Sequence, residues 1–178
     1  MNDLKVREIT NKDIPLISDY WVEADPAFLI SMGVDLSKVP NREELEKMLT
    51  SQVETPINLK KSFALIWEIN GVPVGHCNVN SIIFGNKAKM HLHLWKNDFR
   101  NKGDGLKLVR KSIPLFFDRL NLNLIECEPY AKNPAPNRTL EKAGFTFIKT
   151  YNTIPGSLNF KQDVNLWQLK KQDYESTF

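Results

Sequence analysis

Seven residues constrain this chain more than any others: Arg100, Asn101, Lys102, Gly103, Asp104, Gly105 and Leu106. Two glycines stand one residue apart, just after two cations. A run rich in strand formers over residues 87–95 leads in, and a helix-like run over residues 106–120 leads out. Glycine lets a backbone approach an anion with no Cβ in the way. Successive N–H groups at a helix start point in one direction and bind phosphate oxygens. Arg100 and Lys102 add formal positive charge. The stretch reads as a pyrophosphate cradle between a strand and a helix, or as an ordinary turn. Its spacing is neither the dinucleotide fingerprint Gly-x-Gly-x-x-Gly nor a Walker loop, which ends in Gly-Lys-Ser/Thr.

The rest of the chain supplies elements in a telling order. Residues 4–9 alternate loosely, as a first strand does. Thr10 to Asp13 has capping-box spacing ahead of a helix over residues 11–23. Residues 24–40 read as a loop with a short helical piece near residues 28–32. Asn41 followed by Glu44 marks a second N-cap, with a helix over residues 42–51. Residues 62–69 are rich in strand formers, and Asn70-Gly71 is a strong hairpin signal. A partner strand returns over residues 74–84, with an irregular start at Pro73. Gly85-Asn86 turns into the strand over residues 87–95. Pro114 falls inside the following helix and predicts a kink or break there. A strand over residues 121–127 lies beyond this crossover and is therefore parallel to its predecessor. Pro134 and Pro136 precede a short helix over residues 137–143, closed by Gly144. Strands over residues 145–151 and 164–170 finish the chain. No repeat or second domain is visible, so residues 1–178 read as one domain of α/β (α+β) class.

Composition narrows the function classes. Of 178 residues, 42% are hydrophobic and 25% charged, which is ordinary for a globular protein with a sizeable core. A net charge of +3 is too small to argue for nucleic acid, although it is compatible with an anionic cofactor. Basic residues are not interleaved with aromatics as in a nucleic-acid module. Cys77 and Cys127 read as buried thiols in a reducing compartment, and no metal spacing links them to the histidines. The absence of an apolar signal core and of a bilayer-length run makes the cytoplasm the expected location, with no membrane partner.

The spacing Arg-x-x-Gly-x-Gly resembles the coenzyme A signature of the GNAT N-acetyltransferase superfamily. A second match follows at Glu128, Asn133 and the run Leu140, Glu141, Lys142, Ala143, Gly144, Phe145. Together the two motifs span residues 87–151 and look most like the branch holding ribosomal-protein N-terminal, aminoglycoside and siderophore-type acetyltransferases. The resemblance implies a mixed central sheet of about seven strands flanked by helices, with central parallel strands that splay apart. It implies acetyl-CoA as cofactor, with the pantetheine arm in the gap. The backbone of Leu94, Trp95 and Lys96 is then expected to pair with the pantetheine amides. Residues 100–106 are expected to hold the pyrophosphate, and Asn133 to face the arm. The acceptor is a small-molecule or peptide amine, and the protein is a monomer or homodimer.

Acetyl transfer needs a held thioester, a deprotonated amine and a protonated leaving thiolate. His91 and His93 share one strand face. His91 matches a position where some relatives place a proton-relaying histidine, and an unperturbed imidazole titrates near pH ~6.5. Glu128 matches the glutamate that serves as base in many relatives. The expected order is His91, then Glu128, then His93. Each also has a plain structural reading, as a hydrogen-bonding strand histidine or a solvated carboxylate. The tyrosine that protonates the thiolate in many relatives is Leu140 here, which leaves Tyr130 as the nearest phenol. That departure admits a second function, a domain that binds acyl-CoA as a sensor without turnover. Trp21, Trp67, Trp95 and Trp167 read as core, with Trp95 close to the cofactor by motif position. Residues 24–40 and 152–163 are the expected walls of an acceptor pocket.

Overall fold

The computed structural model describes residues 2–95 and 103–177. Its centre is one seven-stranded sheet in the order β1-β2-β3-β4-β5-β7-β6. The strands are β1 (Leu4–Glu8), β2 (Ser62–Ile69), β3 (Val72–Ile83), β4 (Lys87–Leu94), β5 (Leu124–Cys127), β6 (Thr146–Thr153) and β7 (Gln162–Lys170). Only β4 and β5 pair in parallel, since the helix between them carries the chain back across the sheet. The other neighbours are antiparallel.

Local chemistry accounts for most of these boundaries. Asn70 and Gly71 both take positive φ, 52° and 76°, as a two-residue turn matched to strand twist requires. The β2–β3 register shifts between Trp67 and Glu68, opposite Pro73, so the irregular start expected of β3 is present as a bulge. Helix α1 (Ile14–Val22) follows a short 3₁₀ turn, where the Asp13 carboxylate accepts the Thr10 N–H at 2.8 Å. Between α1 and the next long helix lies the short α2 (Pro26–Ser31). At α3 (Arg42–Glu54) the reciprocal capping bonds of Asn41 and Glu44 are both made.

Three expectations are corrected. Helix α4 (Asp104–Arg119) runs unbroken through Pro114. The proline removes the N–H that would bond Arg110, and the Arg110 carbonyl instead accepts the Tyr174 hydroxyl at 3.3 Å. Helix α5 (Pro134–Lys142) starts three residues earlier than the prolines suggested, with Pro134 at its first position. A proline costs nothing in a first turn, where N–H groups have no intrahelical partner anyway. A last helix, α6 (Lys171–Thr177), has no counterpart in the sequence reading, and it carries Tyr174.

The two faces of the sheet differ. Leu65, Val79, Met90 and Ile125 form the apolar core with Leu108, Ile113 and Phe116 of α4. The register places His76, Asn78 and Asn80 of β3 opposite His93, His91 and Lys89 of β4, on the other face. That polar stripe lies on the side of α1, where the Tyr20 hydroxyl meets the His93 ring at 3.3 Å. Helix α1 packs against α3.

Candidate active site

The parallel pair holds together for three rungs only: Lys87 with Leu124, Ala88 with Ile125, and Lys89 with Glu126. Beyond them the strands part. The chain after β5 follows β7 instead: the Asn165 N–H donates to the Pro129 carbonyl, and the Ala131 N–H donates to the Asp163 carbonyl. Across the new gap the Cys127 thiol donates to the Met90 carbonyl at 2.7 Å. Further along, the Trp95 N–H donates to the Val74 carbonyl of β3 at 2.9 Å. Peptide groups alternate sides along a strand. Trp95 therefore turns its backbone away from the gap, and Leu92 and Leu94 turn theirs toward it. The Trp95 side chain is also committed: its indole donates to His76 Nδ1 at 2.7 Å.

Gly103 precedes α4 with φ 79°, a left-handed conformation that disfavours side chains. A Cβ built on Gly103 or Gly105 meets no atom of the described residues within 4 Å, so none of them covers this opening at the helix start. Asp104 does not face that opening. It is 6% exposed, with its carboxylate accepting from Asn2 Nδ2 at 2.9 Å and lying 3.6 Å from Lys107 Nζ. The Leu106 side chain packs against the core, which leaves its position in the first turn as its contribution here. The expected cofactor residues Lys96, Arg100, Asn101 and Lys102 lie outside the described residues.

A cavity of about 970 Å³ opens on the polar stripe. Both loops singled out in the sequence reach it, and they are bound to each other. Val34 bridges Asn159, and the Asp35 N–H donates to the Leu158 carbonyl at 2.8 Å. Asn159 Nδ2 and Gln162 Nε2 each donate to the Gly33 carbonyl at 2.9 Å. Gly33 has φ 86°, and a Cβ there would collide with the Gln162 amide.

His91, His93, Glu128, Tyr130 and Asn133 all line this cavity. The Nε2 of His91 is buried with no hydrogen-bond partner among the described residues. Burial, helped by the nearby Lys89 charge, pulls its pKa down to about 4. The expectation that it titrates near its ordinary value therefore does not hold, and the imidazole is neutral at pH 7. His93 stacks on His76 with ring centroids 4.5 Å apart and faces Tyr20, and burial holds it well below its ordinary pKa. His76 is 3% exposed, and burial pulls it down to about 3. His76 is not among the residues expected from the sequence. The available signal was its alternation with Asn78 and Asn80 on a strand pairing with that of His91 and His93.

Both oxygens of Glu128 are occupied. Lys89 Nζ lies 2.7 Å from Oε2, and the Tyr151 hydroxyl donates to Oε1. Burial, and then this bond to a carboxylate, push the Tyr151 phenol up to about 12. Tyr151 was not foreseen either, since its strand β6 lies two strands from β5 in the sheet. The Tyr130 ring meets Phe160 edge-on at 5.9 Å. Asn133 caps α5, its side-chain oxygen accepting the Ala135 N–H at 3.3 Å. Leu140 is fully buried beside the cavity, where a hydrocarbon side chain has no proton to give. Among the described residues no helix is long and apolar enough to cross a membrane.

A mixed sheet that parts between its parallel strands, beside an open glycine-flanked helix start, defines an acetyltransferase-type α/β fold. The match to the family model "Acetyltransferase (GNAT) domain" over residues 3–146 covers most of the sequence, and the chain belongs to the GNAT acetyltransferase family. It is 26% identical over 179 residues to the "Uncharacterized N-acetyltransferase p20" of Bacillus licheniformis, covering 96% of this chain and 94% of that protein. Solved structures share the fold. A spermidine N-acetyltransferase from Vibrio cholerae in complex with CoA and spermine matches with TM-score 0.78 and 17% identity, covering 97% of this chain and 98% of that one. An aminoglycoside acetyltransferase in complex with coenzyme A and kanamycin matches with TM-score 0.76 and 18% identity, over 98% and 99% of the two chains. The ribosomal alpha-N-protein acetyltransferase RimL in complex with coenzyme A matches with TM-score 0.75 and 15% identity, over 94% and 93%.

Proposed function

We propose that the protein moves an acetyl group from acetyl-CoA to a primary amine by direct attack within a ternary complex. The observation that carries this reading is the loss of β4–β5 pairing after Lys89 and Glu126, on the sheet that leads into the open helix start at Gly103. The solved relatives named above hold coenzyme A and act on amines, which supports the same reading.

When bound, acetyl-CoA supplies the activated acyl group. The chain's part is to hold and orient. The N–H groups at the start of α4 suit pyrophosphate oxygens, because the buried Asp104 carboxylate is turned away. The Leu92 peptide group faces the gap and suits an amide of the pantetheine arm as an added strand would. His91 is the base we favour. It is neutral, lines the cavity and has no other hydrogen-bond duty at Nε2 among the described residues. Glu128 ranks second, since Lys89 and Tyr151 already occupy its two oxygens. His93 is third, being engaged with Tyr20. Tyr130 is the phenol on the cavity wall available to return a proton. Two buried free thiols suit a reducing cytoplasm.

The test is acceptor-dependent release of free thiol from acetyl-CoA across a panel of peptide, polyamine, aminoglycoside and amino-acid amines. Release with at least one acceptor supports transfer. Coenzyme A binding with no release for any acceptor assigns the chain to the sensor function instead.

A further inference from the structure

We propose that Asn78 holds the acceptor amine beside His91, its side-chain carbonyl accepting an N–H of the nitrogen that attacks the thioester. The inference rests on the transferase reading above and adds a binding residue to that site. It starts from a row of side chains across the sheet. The register sets Ala64 of β2 against Asn78 of β3, and Asn78 against His91 of β4. Facing residues on neighbouring antiparallel strands put their Cβ atoms about 4.5–5.5 Å apart. All three line the cavity. Ala64 has no polar side-chain atom to offer its neighbour. Asn78 is half-buried, and its side chain makes no hydrogen bond among the described residues. Facing it, the buried Nε2 of His91 is equally without a partner among them.

The rest of the stripe is engaged or farther away. His93 meets Tyr20, His76 accepts from Trp95, and Lys89 pairs with Glu128. Asn80 lies opposite Lys89, one step along the strand from the place facing His91. Two adjacent polar groups without a partner, on the wall of one cavity, are satisfied together by a substrate nitrogen. A neutral primary amine has two N–H groups and one lone pair. With one N–H at His91 Nε2 and the other at Asn78 Oδ1, the lone pair is left for the thioester carbon. That lone pair forms the N–C bond as the C–S bond breaks and its electron pair leaves on the thiolate, to which Tyr130 returns a proton. One nitrogen-bound proton passes to His91, and the other stays on the product amide, held by Asn78. Positive charge develops on the nitrogen during attack and makes its N–H a stronger donor, so the bond to Asn78 gains strength in the transition state. An amide suits the position because it is neutral. A carboxylate there would hold the amine as an ammonium ion, which has no lone pair.

The experiment measures thiol release from acetyl-CoA with phenylalaninamide, trialanine, spermidine and kanamycin. Asn78→Leu keeps the size of the side chain and removes its polar atoms. It should lower kcat/KM by roughly tenfold or more for every acceptor the parent protein uses, because Asn78 meets the shared amine and not the body behind it. Its urea midpoint should not fall, since the amide has no bond to lose among the described residues. Coenzyme A should raise its thermal midpoint as in the parent. Asn78→Asp keeps an acceptor oxygen in place and adds a charge. Its KM for the acceptor should stay at or below the parent's while kcat falls, and it carries the test alone if Asn78→Leu does not fold. Rates of Asn78→Leu within about twofold of the parent overturn the inference. So does a loss confined to one acceptor among several, or a KM raised as much by Asn78→Asp as by Asn78→Leu. A lower urea midpoint in Asn78→Leu together with a lost response to coenzyme A gives the amide a structural duty and overturns it as well. Each of these leaves the transferase reading standing. Coenzyme A binding by the parent with no thiol release for any of the four removes both.

Discussion

The Cys127 thiol donates to the Met90 carbonyl at 2.7 Å, across the point where β4 and β5 cease to pair as strands. A carbonyl that loses its ladder partner on parting thus keeps a donor, and the gap begins without an orphaned buried group. Cys127→Ala removes that donor and should cost about 1–3 kcal/mol of stability, read as a lower midpoint in urea. Cys127→Ser restores an O–H donor and should recover part of the loss. Equal stability of all three proteins would mean that the bond contributes nothing.

A substitution at Gly105 separates cofactor binding from folding. Gly105 sits in the first turn of α4, its φ is not positive, and a Cβ there meets none of the described residues within 4 Å. Gly105→Val should leave the thermal midpoint of the free protein within a few degrees, since glycine is itself a poor helix former. It should abolish the rise in midpoint that coenzyme A gives the parent protein. An undiminished rise would remove this turn from the cofactor site. Gly103 is a poorer probe, because its φ of 79° strains any side chain whatever the ligand does.

Three histidines along the cavity make the protein acid-sensitive. Burial holds His76 at about 3 and His91 at about 4, with His93 also well below the ordinary 6.5. The unfolded chain therefore binds more protons than the folded one at pH values between those limits. Stability should be fully present above about pH 6.5 and fall as pH drops toward 4, by roughly 1 kcal/mol per pH unit for each histidine. Urea midpoints measured from pH 8 to pH 4 check this. His76→Phe should flatten the slope, because it keeps a flat ring against His93 and removes one titrating group.

His91→Ala should lower kcat by ~10²-fold or more while coenzyme A affinity stays nearly unchanged, the usual scale for losing a general base. Glu128→Gln should show a different pattern. Lys89 would lose the carboxylate at 2.7 Å while the Gln carbonyl oxygen still accepts from Tyr151, so stability should fall through the lost ion pair along with any loss in rate. Full turnover in His91→Ala with loss of turnover in a stably folded Glu128→Gln would give the glutamate the role.

Tyr174 and Pro114 should prove coupled. Tyr174→Phe leaves the Arg110 carbonyl without its hydroxyl donor and should cost about 0.5–1.5 kcal/mol. Pro114→Ala supplies a helical N–H to the same carbonyl, so Tyr174→Phe should cost less in that background. Additive effects of the two substitutions would show that the hydroxyl does not compensate for the proline.

What the sequence determined by itself was whatever depends on neighbours a few residues apart. The positive-φ turn at Asn70-Gly71, the N-caps at Thr10 and Asn41, the alternation that puts His91 and His93 on one face, and the glycine-flanked helix start all follow from local steric and hydrogen-bonding rules. With the strand order and the family resemblance, these were enough to anticipate a mixed sheet of about seven strands. Only the tertiary structure decided what each side chain meets across the fold. Tyr151 reaches Glu128 from β6, His76 stacks on His93 from β3, and Tyr174 completes a helix broken in sequence by Pro114. Residues 33 and 162 close the cavity from opposite ends of the chain. Such partners are set by sheet register and chain crossing, and no local periodicity encodes them. The same distinction governs charge. The identity of His91 suggests a base poised near neutrality, whereas its burial beside Lys89 makes it one that stays neutral down to about pH 4.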